Sequence, residues 1–132
     1  MMPTEADVRK FLGDVNVIEI TLAGSRVTCN PPPENSDYDF LVLIADSSDN
    51  KGLLVNTLGG AGFEWEGDSI HYQGVLDNFM SWRQGDVNLI VTSNPEFVAK
   101  HKVATALCKR LNLMDKKQRI SVFQAILYGV DK

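Results

Sequence analysis

Leu22-Ala23-Gly24-Ser25, followed by Ser36-Asp37-Tyr38-Asp39-Phe40-Leu41-Val42-Leu43-Ile44, is the stretch that decides the reading of this 132-residue chain. Side chains alternate across a strand, so Asp37 and Asp39 are expected on one side and Tyr38 on the other. Two carboxylates on one side can share a divalent cation. Upstream, Gly24 lets the backbone approach a phosphate with no Cβ in the way, and Ser25 adds a hydroxyl and its own amide as donors. A phosphate-sized cradle joined to a carboxylate pair suits the handling of nucleotide phosphates.

The run from Asp39 to Ile44 is apolar almost without interruption, which predicts a strand covered on both faces and central in a sheet. Before it, Val17 to Leu22 is rich in β-branched residues and reads as a first strand that ends at the small pair Gly24-Ser25. Between the two, Asn30-Pro31-Pro32-Pro33-Glu34-Asn35 reads as a loop, because consecutive prolines remove backbone donors and hold the chain extended. At the amino end Thr4 is positioned to cap a helix reaching about Leu12, with Asp7 as its capping-box partner and Gly13 as the stop.

After the central strand, Leu53, Leu54, Thr57 and Leu58 fall at helical spacing from about Ser48, and Gly59-Gly60-Ala61-Gly62 ends that helix. Short strands are expected over Phe63–Glu66, Ile70–Gln73 and Met80–Arg83, with a hairpin turn at Gly67-Asp68. Val87 to Val91 is a further strand, led in by Gly85-Asp86. Pro95 and Glu96 behind Ser93 or Asn94 start a helix to about Leu111 with the stripe Phe97, His101, Ala104, Leu107, Cys108 and Leu111. A last helix, from about Asp115 to Tyr128, presents Ile120, Phe123, Ile126 and Leu127 before Gly129. The fold class is therefore α/β or α+β, a mixed sheet covered by helices with two helices at the carboxyl end, in one domain spanning 1–132.

Composition agrees with a soluble domain, at 44% hydrophobic and 23% charged. No apolar run approaches the roughly 20 residues that span a bilayer, and the start reads Pro3, Thr4, Glu5, Asp7 rather than as a leader, so a cytoplasmic location without membrane partners is expected. Cys29 and Cys108 make neither a metal spacing nor a disulfide framework. The net charge of −4 hides a split: residues 1–94 carry 5 basic and 14 acidic residues, residues 95–132 carry 8 and 3. The basic end is read as a solvated helical surface, with a phosphate-binding face as the alternative.

Gly24-Ser25 followed by Ser36-Asp37-Tyr38-Asp39-Phe40-Leu41-Val42 resembles the signature of the nucleotidyltransferase superfamily typified by DNA polymerase beta. The likeness covers most of the chain, whose length is similar to that of the minimal nucleotidyltransferase domains, and Val87 to Gly129 resembles short stand-alone versions from bacteriophage genomes. The resemblance implies transfer of a nucleoside monophosphate from a nucleoside triphosphate to a hydroxyl acceptor with Mg2+. It implies that Gly24 and Ser25, with Ser36, bind the nucleotide, and that Asp37 and Asp39 hold metal. Arg26, next to Ser25, can reach a phosphate or form a surface ion pair.

The family's third carboxylate, set inside a later strand between apolar residues, is replaced here by Val87-Asn88-Leu89. Asn88 is at best a neutral metal ligand and cannot take a proton from an attacking hydroxyl. Asp86, two residues earlier and about 6.6 Å along a strand, is the alternative catalytic carboxylate. Two readings follow: an active nucleotidyltransferase using Asp37, Asp39 and Asp86, or a catalytically weakened fold that binds a nucleotide or a partner. His71 and His101 read as ordinary partly buried histidines, and Trp65, Trp82 and Tyr72 as packing of the small strands, with base stacking as the alternative.

Overall fold

The computed structural model describes residues 3–29, 37–67 and 79–128. Along the chain these form α1 (Glu5–Leu12), β1 (Val17–Ala23), α2 (Ser25–Thr28), β2 (Tyr38–Ile44), α3 (Ser48–Gly60), β3 (Glu64–Gly67), β4 (Met80–Gln84), β5 (Val87–Thr92), α4 (Pro95–Arg110) and α5 (Lys116–Tyr128). The strands make one five-stranded sheet in the order β1-β2-β5-β4-β3, parallel between β2 and β5 and antiparallel elsewhere. This is the mixed, helix-covered sheet that the pattern predicts. The unbroken apolar run of β2 is explained by its place: it is an interior strand, bonded to β1 and β5, with β5 in the middle of the sheet.

Alternation sorts the strand residues onto two faces. One face carries Ile20, Phe40, Val42, Ile44, Trp82, Val87, Leu89 and Val91, packed against Val8 and Leu12 of α1 and Leu54 and Leu58 of α3, with Tyr38 at its margin. The other carries Ala23, Leu41 and Leu43, packed against Phe97, Val98, Ala104 and Cys108 of α4 and Phe123 and Leu127 of α5. Asp39 and Asp37, in step with Leu41 and Leu43, therefore belong to the α4–α5 face and Tyr38 to the α1–α3 face, as the strand alternation requires.

Local signals set the element ends. Thr4 and Asp7 form the expected capping box, with the Asp7 amide donating to Thr4 Oγ1 at 3.3 Å and the Thr4 amide donating to Asp7 Oδ2 at 2.9 Å. Ser47 caps α3 and Asn94 caps α4, which begins at Pro95. Buried Asn50 ties the first turn of α3 to the sheet: its Oδ1 accepts from the Asn16 amide at 2.8 Å, and its Nδ2 donates to the carbonyls of Asn16 and Ala45 at 3.1 and 2.9 Å. Without Asn50 the Asn16 amide and the Ala45 carbonyl would each lose a partner, while the Asn16 carbonyl would keep its bond from the Ala45 amide at 3.0 Å.

The structure departs from the sequence reading at three places. A one-turn helix, α2, follows Gly24 directly, because the Gly24 carbonyl accepts from the amides of Val27 and Thr28 at 3.0 and 3.1 Å. The buried stripe of α4 is Phe97, Val98, His101, Ala104 and Cys108. Leu107 and Leu111, counted in that stripe from spacing, lie at its flank and are 37% and 56% exposed. Gly85 and Asp86 are not part of a strand but the two-residue turn between β4 and β5, with Gly85 at φ +59°. The strand expected over Ile70–Gln73, the proline loop Asn30–Asn35, Asp68 of the predicted hairpin and Gly129 lie outside the described residues. Cys29 and Cys108 are both buried free thiols, and no helix among the described residues is long and apolar enough to cross a membrane.

Candidate functional site

Register places the candidate residues in one row. Asp39 lies opposite Ala23 on β1 and opposite Asn88 on β5, Asn88 lies opposite Arg83 on β4, and Arg83 lies opposite Glu64 on β3. Opposed side chains share a face, so Asp39, Asn88 and Arg83 stand side by side at the end of the sheet where β2 begins. Asp37 is held next to them by the backbone: the Tyr38 amide donates to the Asp86 carbonyl at 2.7 Å, fastening the start of β2 to the β4–β5 turn.

Gly24 meets this row from the end of β1. It has φ +73°, and a Cβ added there would lie 2.9 Å from Asp39 Cγ and overlap Oδ2. The cradle that glycine leaves open is thus filled by the Asp39 carboxylate. On its other side that carboxylate accepts a hydrogen bond from the Asn88 side chain. Ser81, one row further along β4, donates through Oγ to Asn88 Oδ1 at 3.1 Å, which turns the amide NH2 of Asn88 toward Asp39.

Burial pushes the Asp39 carboxyl above the ordinary carboxylate range. The Asn88 hydrogen bond opposes that rise, neighbouring Asp37 adds to it, and the positive charges of Arg83 and Lys116 oppose it. Asp37 has a direct partner, with Arg83 Nη1 at 2.9 Å from its Oδ2. An arginine therefore stands where a bound cation would neutralise Asp37. Lys116, the first residue of α5, supplies a second positive charge to the same end of the sheet.

The structure brings together Gly24, Asp37, Asp39 and Asn88 of the residues singled out from sequence. Arg26 is turned elsewhere, its guanidinium 4.0 Å over the ring of Tyr38, the residue that faces away from the carboxylates. Asp86 contributes its backbone carbonyl while its side chain is exposed in the turn. Ser25 opens α2, and Ser36 lies outside the described residues. Arg83, Ser81 and Lys116 are site neighbours that the sequence reading did not select. Arg83 and Ser81 carried the one available signal, alternate spacing on a predicted strand, but only the β4–β5 register shows that they meet Asn88.

His101 and Trp82 follow the plainer readings, whereas Trp65 is not packed as that reading expects. His101 is buried between Phe97 and Phe123, with ring centroids 6.0 and 4.8 Å away, and burial lowers its pKa to about 4. Trp82 is in the core and Trp65 is 63% exposed on the edge strand β3. His71 and Tyr72 lie outside the described residues.

Asp37 and Asp39 are the carboxylates that could hold one hard cation here, and Arg83 is the counterion present beside Asp37. Among the described residues no three His, Cys, Asp or Glu side chains converge as a metal-binding group, because the third position is Asn88.

No family model matches the chain, and no curated protein matches it. Among solved structures it is similar to the conserved protein GrpB from Enterococcus faecalis, at 16% identity and a TM-score of 0.53, over 92% of this chain and 87% of that one. At that identity the likeness is one of fold alone, and it takes in most of the mixed sheet and its covering helices.

Proposed function

We propose that the domain binds a nucleoside triphosphate with Mg2+ at the Gly24, Asp37 and Asp39 site and transfers the nucleoside monophosphate to a hydroxyl acceptor. The observation that carries this reading is the Asp39 carboxylate, enclosed against Gly24 beside a second carboxylate, with its pKa raised by burial. Burial beside a second carboxylate disfavours the charged form of Asp39. A divalent cation would reverse that disadvantage, and a fold with no use for one would lose nothing by having an apolar residue at position 39.

In this reading Asp37 and Asp39 hold the metal, Asn88 fixes the Asp39 side chain by its hydrogen bond, and Ser81 fixes Asn88. Gly24 keeps the space that Asp39 fills and lets the chain turn into α2, and the resemblance assigns Ser25 and Ser36 to the nucleotide. Bound Mg2+ would supply neutralisation of the phosphate charge. Asp86, the carboxylate in the β4–β5 turn, is assigned the proton-accepting role in this reading.

A second reading is favoured by Asn88 itself. Its amide donates to Asp39 at the position where a third carboxylate is expected, so the site keeps a nucleotide and one metal without a group to activate the acceptor. Thermal-shift titrations with ATP, CTP, GTP and UTP, with and without Mg2+, followed by assays of pyrophosphate release with small-molecule, protein and nucleic-acid acceptors, separate the two. Release that Asp86→Asn abolishes supports transfer. Binding that Asp37→Ala and Asp39→Ala abolish, with no release from any acceptor, supports the binding module, and no binding at all refutes both.

A further inference from the structure

We infer that Arg83 is an exchangeable counterion of the carboxylate pair: it neutralises Asp37 while the site is free of metal and moves to a phosphate group of the nucleotide when the metal takes its place. The inference rests on the nucleotide–metal reading above and adds to it the residue that couples the two ligands.

The position of Arg83 argues for this role. It is not a distant surface charge that happens to find Asp37, since it sits on β4 directly opposite Asn88, whose other neighbour is Asp39. Its Nη1 lies 2.9 Å from Asp37 Oδ2, and the two side chains remain 33% and 42% exposed. The guanidinium is therefore close enough to neutralise Asp37 and open enough to leave it. An arginine is always charged, and its planar fork of donors fits carboxylate and phosphate oxygens alike.

Exchange follows from charge balance. A divalent cation held by Asp37 and Asp39 would repel the guanidinium that lies at hydrogen-bond range of Asp37. A triphosphate arriving with the cation offers new acceptors to the displaced arginine. Metal alone must displace Arg83 without giving it a new partner, whereas metal and nucleotide together do so with one. Lys116, whose charge also acts on Asp39, stays at the start of α5 and needs no displacement.

The test is a pair of titrations on the full chain, Mn2+ alone followed by electron paramagnetic resonance and a non-hydrolysable nucleotide at saturating Mn2+ followed by calorimetry. Wild type, Arg83→Met and Arg83→Gln are compared, with circular dichroism to verify folding. Both variants are expected to bind Mn2+ alone roughly tenfold more tightly than wild type and the nucleotide roughly tenfold more weakly, within the usual span of coupling between sites. The opposite signs are diagnostic, because a residue that only shapes the site would weaken both ligands. Unchanged affinities in variants of a wild type that binds Mn2+ and nucleotide overturn the exchange and leave the nucleotide–metal reading standing. Failure of wild type and variants to bind either ligand overturns that reading as well.

Discussion

Replacing Gly24 by alanine should destabilise the protein by an amount that depends on residue 39. Gly24 has φ +73°, where a side chain costs about 1–2 kcal/mol. The added Cβ would also lie 2.9 Å from Asp39 Cγ and overlap Oδ2, so the carboxylate must move away from Asn88. Losing that hydrogen bond to a charged group costs about 1.5–3 kcal/mol, bringing Gly24→Ala to about 2.5–5 kcal/mol. Asp39→Ala alone should change stability by no more than about 1 kcal/mol, since it removes the burial penalty together with the bond. In the double variant only the Cβ of residue 39 remains near, at the tight but tolerable 3.0 Å, and the backbone cost stands by itself. The double-mutant cycle should therefore show a coupling of about 1.5–3 kcal/mol, with the double variant more stable than the sum of the single changes. Urea denaturation of the four proteins at pH 7 measures it. Additivity within about 0.5 kcal/mol would refute the close packing of Gly24 on Asp39 on which the site geometry rests.

Two further outcomes are expected. His101 is 4% exposed with a pKa lowered to about 4 from 6.5, so between these values the unfolded chain takes up a proton that the folded chain does not. Its contribution to stability is complete above pH 6.5 and is lost as pH falls toward 4, about 3 kcal/mol in all; urea midpoints of His101→Leu should fall less than those of wild type between pH 7 and pH 4.5, and parallel curves would contradict the assignment. Asn88→Asp exchanges the donor facing Asp39 for a third carboxylate, which should cost about 1.5–3 kcal/mol without metal and give a larger stabilisation by Mn2+ than in wild type. Thermal melts with and without Mn2+ read this, and an Asn88→Asp protein that is as stable as wild type and indifferent to Mn2+ would show that the three positions do not share one site.

The fold was legible where local chemistry acts alone. The Thr4–Asp7 capping box, the Asn94-Pro95 helix start and the unbroken apolar run of β2 all produce the elements they signal, because each depends on residues a few positions apart. The pairing of Asp39 with Asn88 was foreshadowed by the family pattern, but its chemistry was not. A motif gives residue types along one strand, whereas the direction of the Asn88 amide is set by Ser81 on β4. Arg83 was hidden for the same reason, since its approach to Asp37 depends on the register of β4 against β5. Leu107 and Leu111 misled because helical spacing alone does not say how wide a stripe the sheet can cover.

The charge split between the two ends of the chain acquires a structural sense from the site. The basic carboxyl-terminal part carries net +5 against −9 for the rest, and its residues are not spread evenly over solvent. Lys102 of α4 pairs with Glu19 of β1, and Lys116 acts on Asp39 from the start of α5. Arg119 instead donates to the carbonyls of Leu113 and Met114, at 2.9 and 2.7 Å, and to Cys29 Sγ at 3.1 Å, joining the α4–α5 connection to the residue that follows α2. Lys116 thus puts positive charge at the end of the sheet where the carboxylates are, which opposes the rise that burial causes in the Asp39 pKa. On the proposed reading, the same lysine that balances Asp39 in the free protein would face the phosphates of a bound nucleotide. A basic face built only for solubility would need no such direction, and substituting Lys116 by methionine should weaken nucleotide binding while Lys109→Met, on the exposed side of α4, should not.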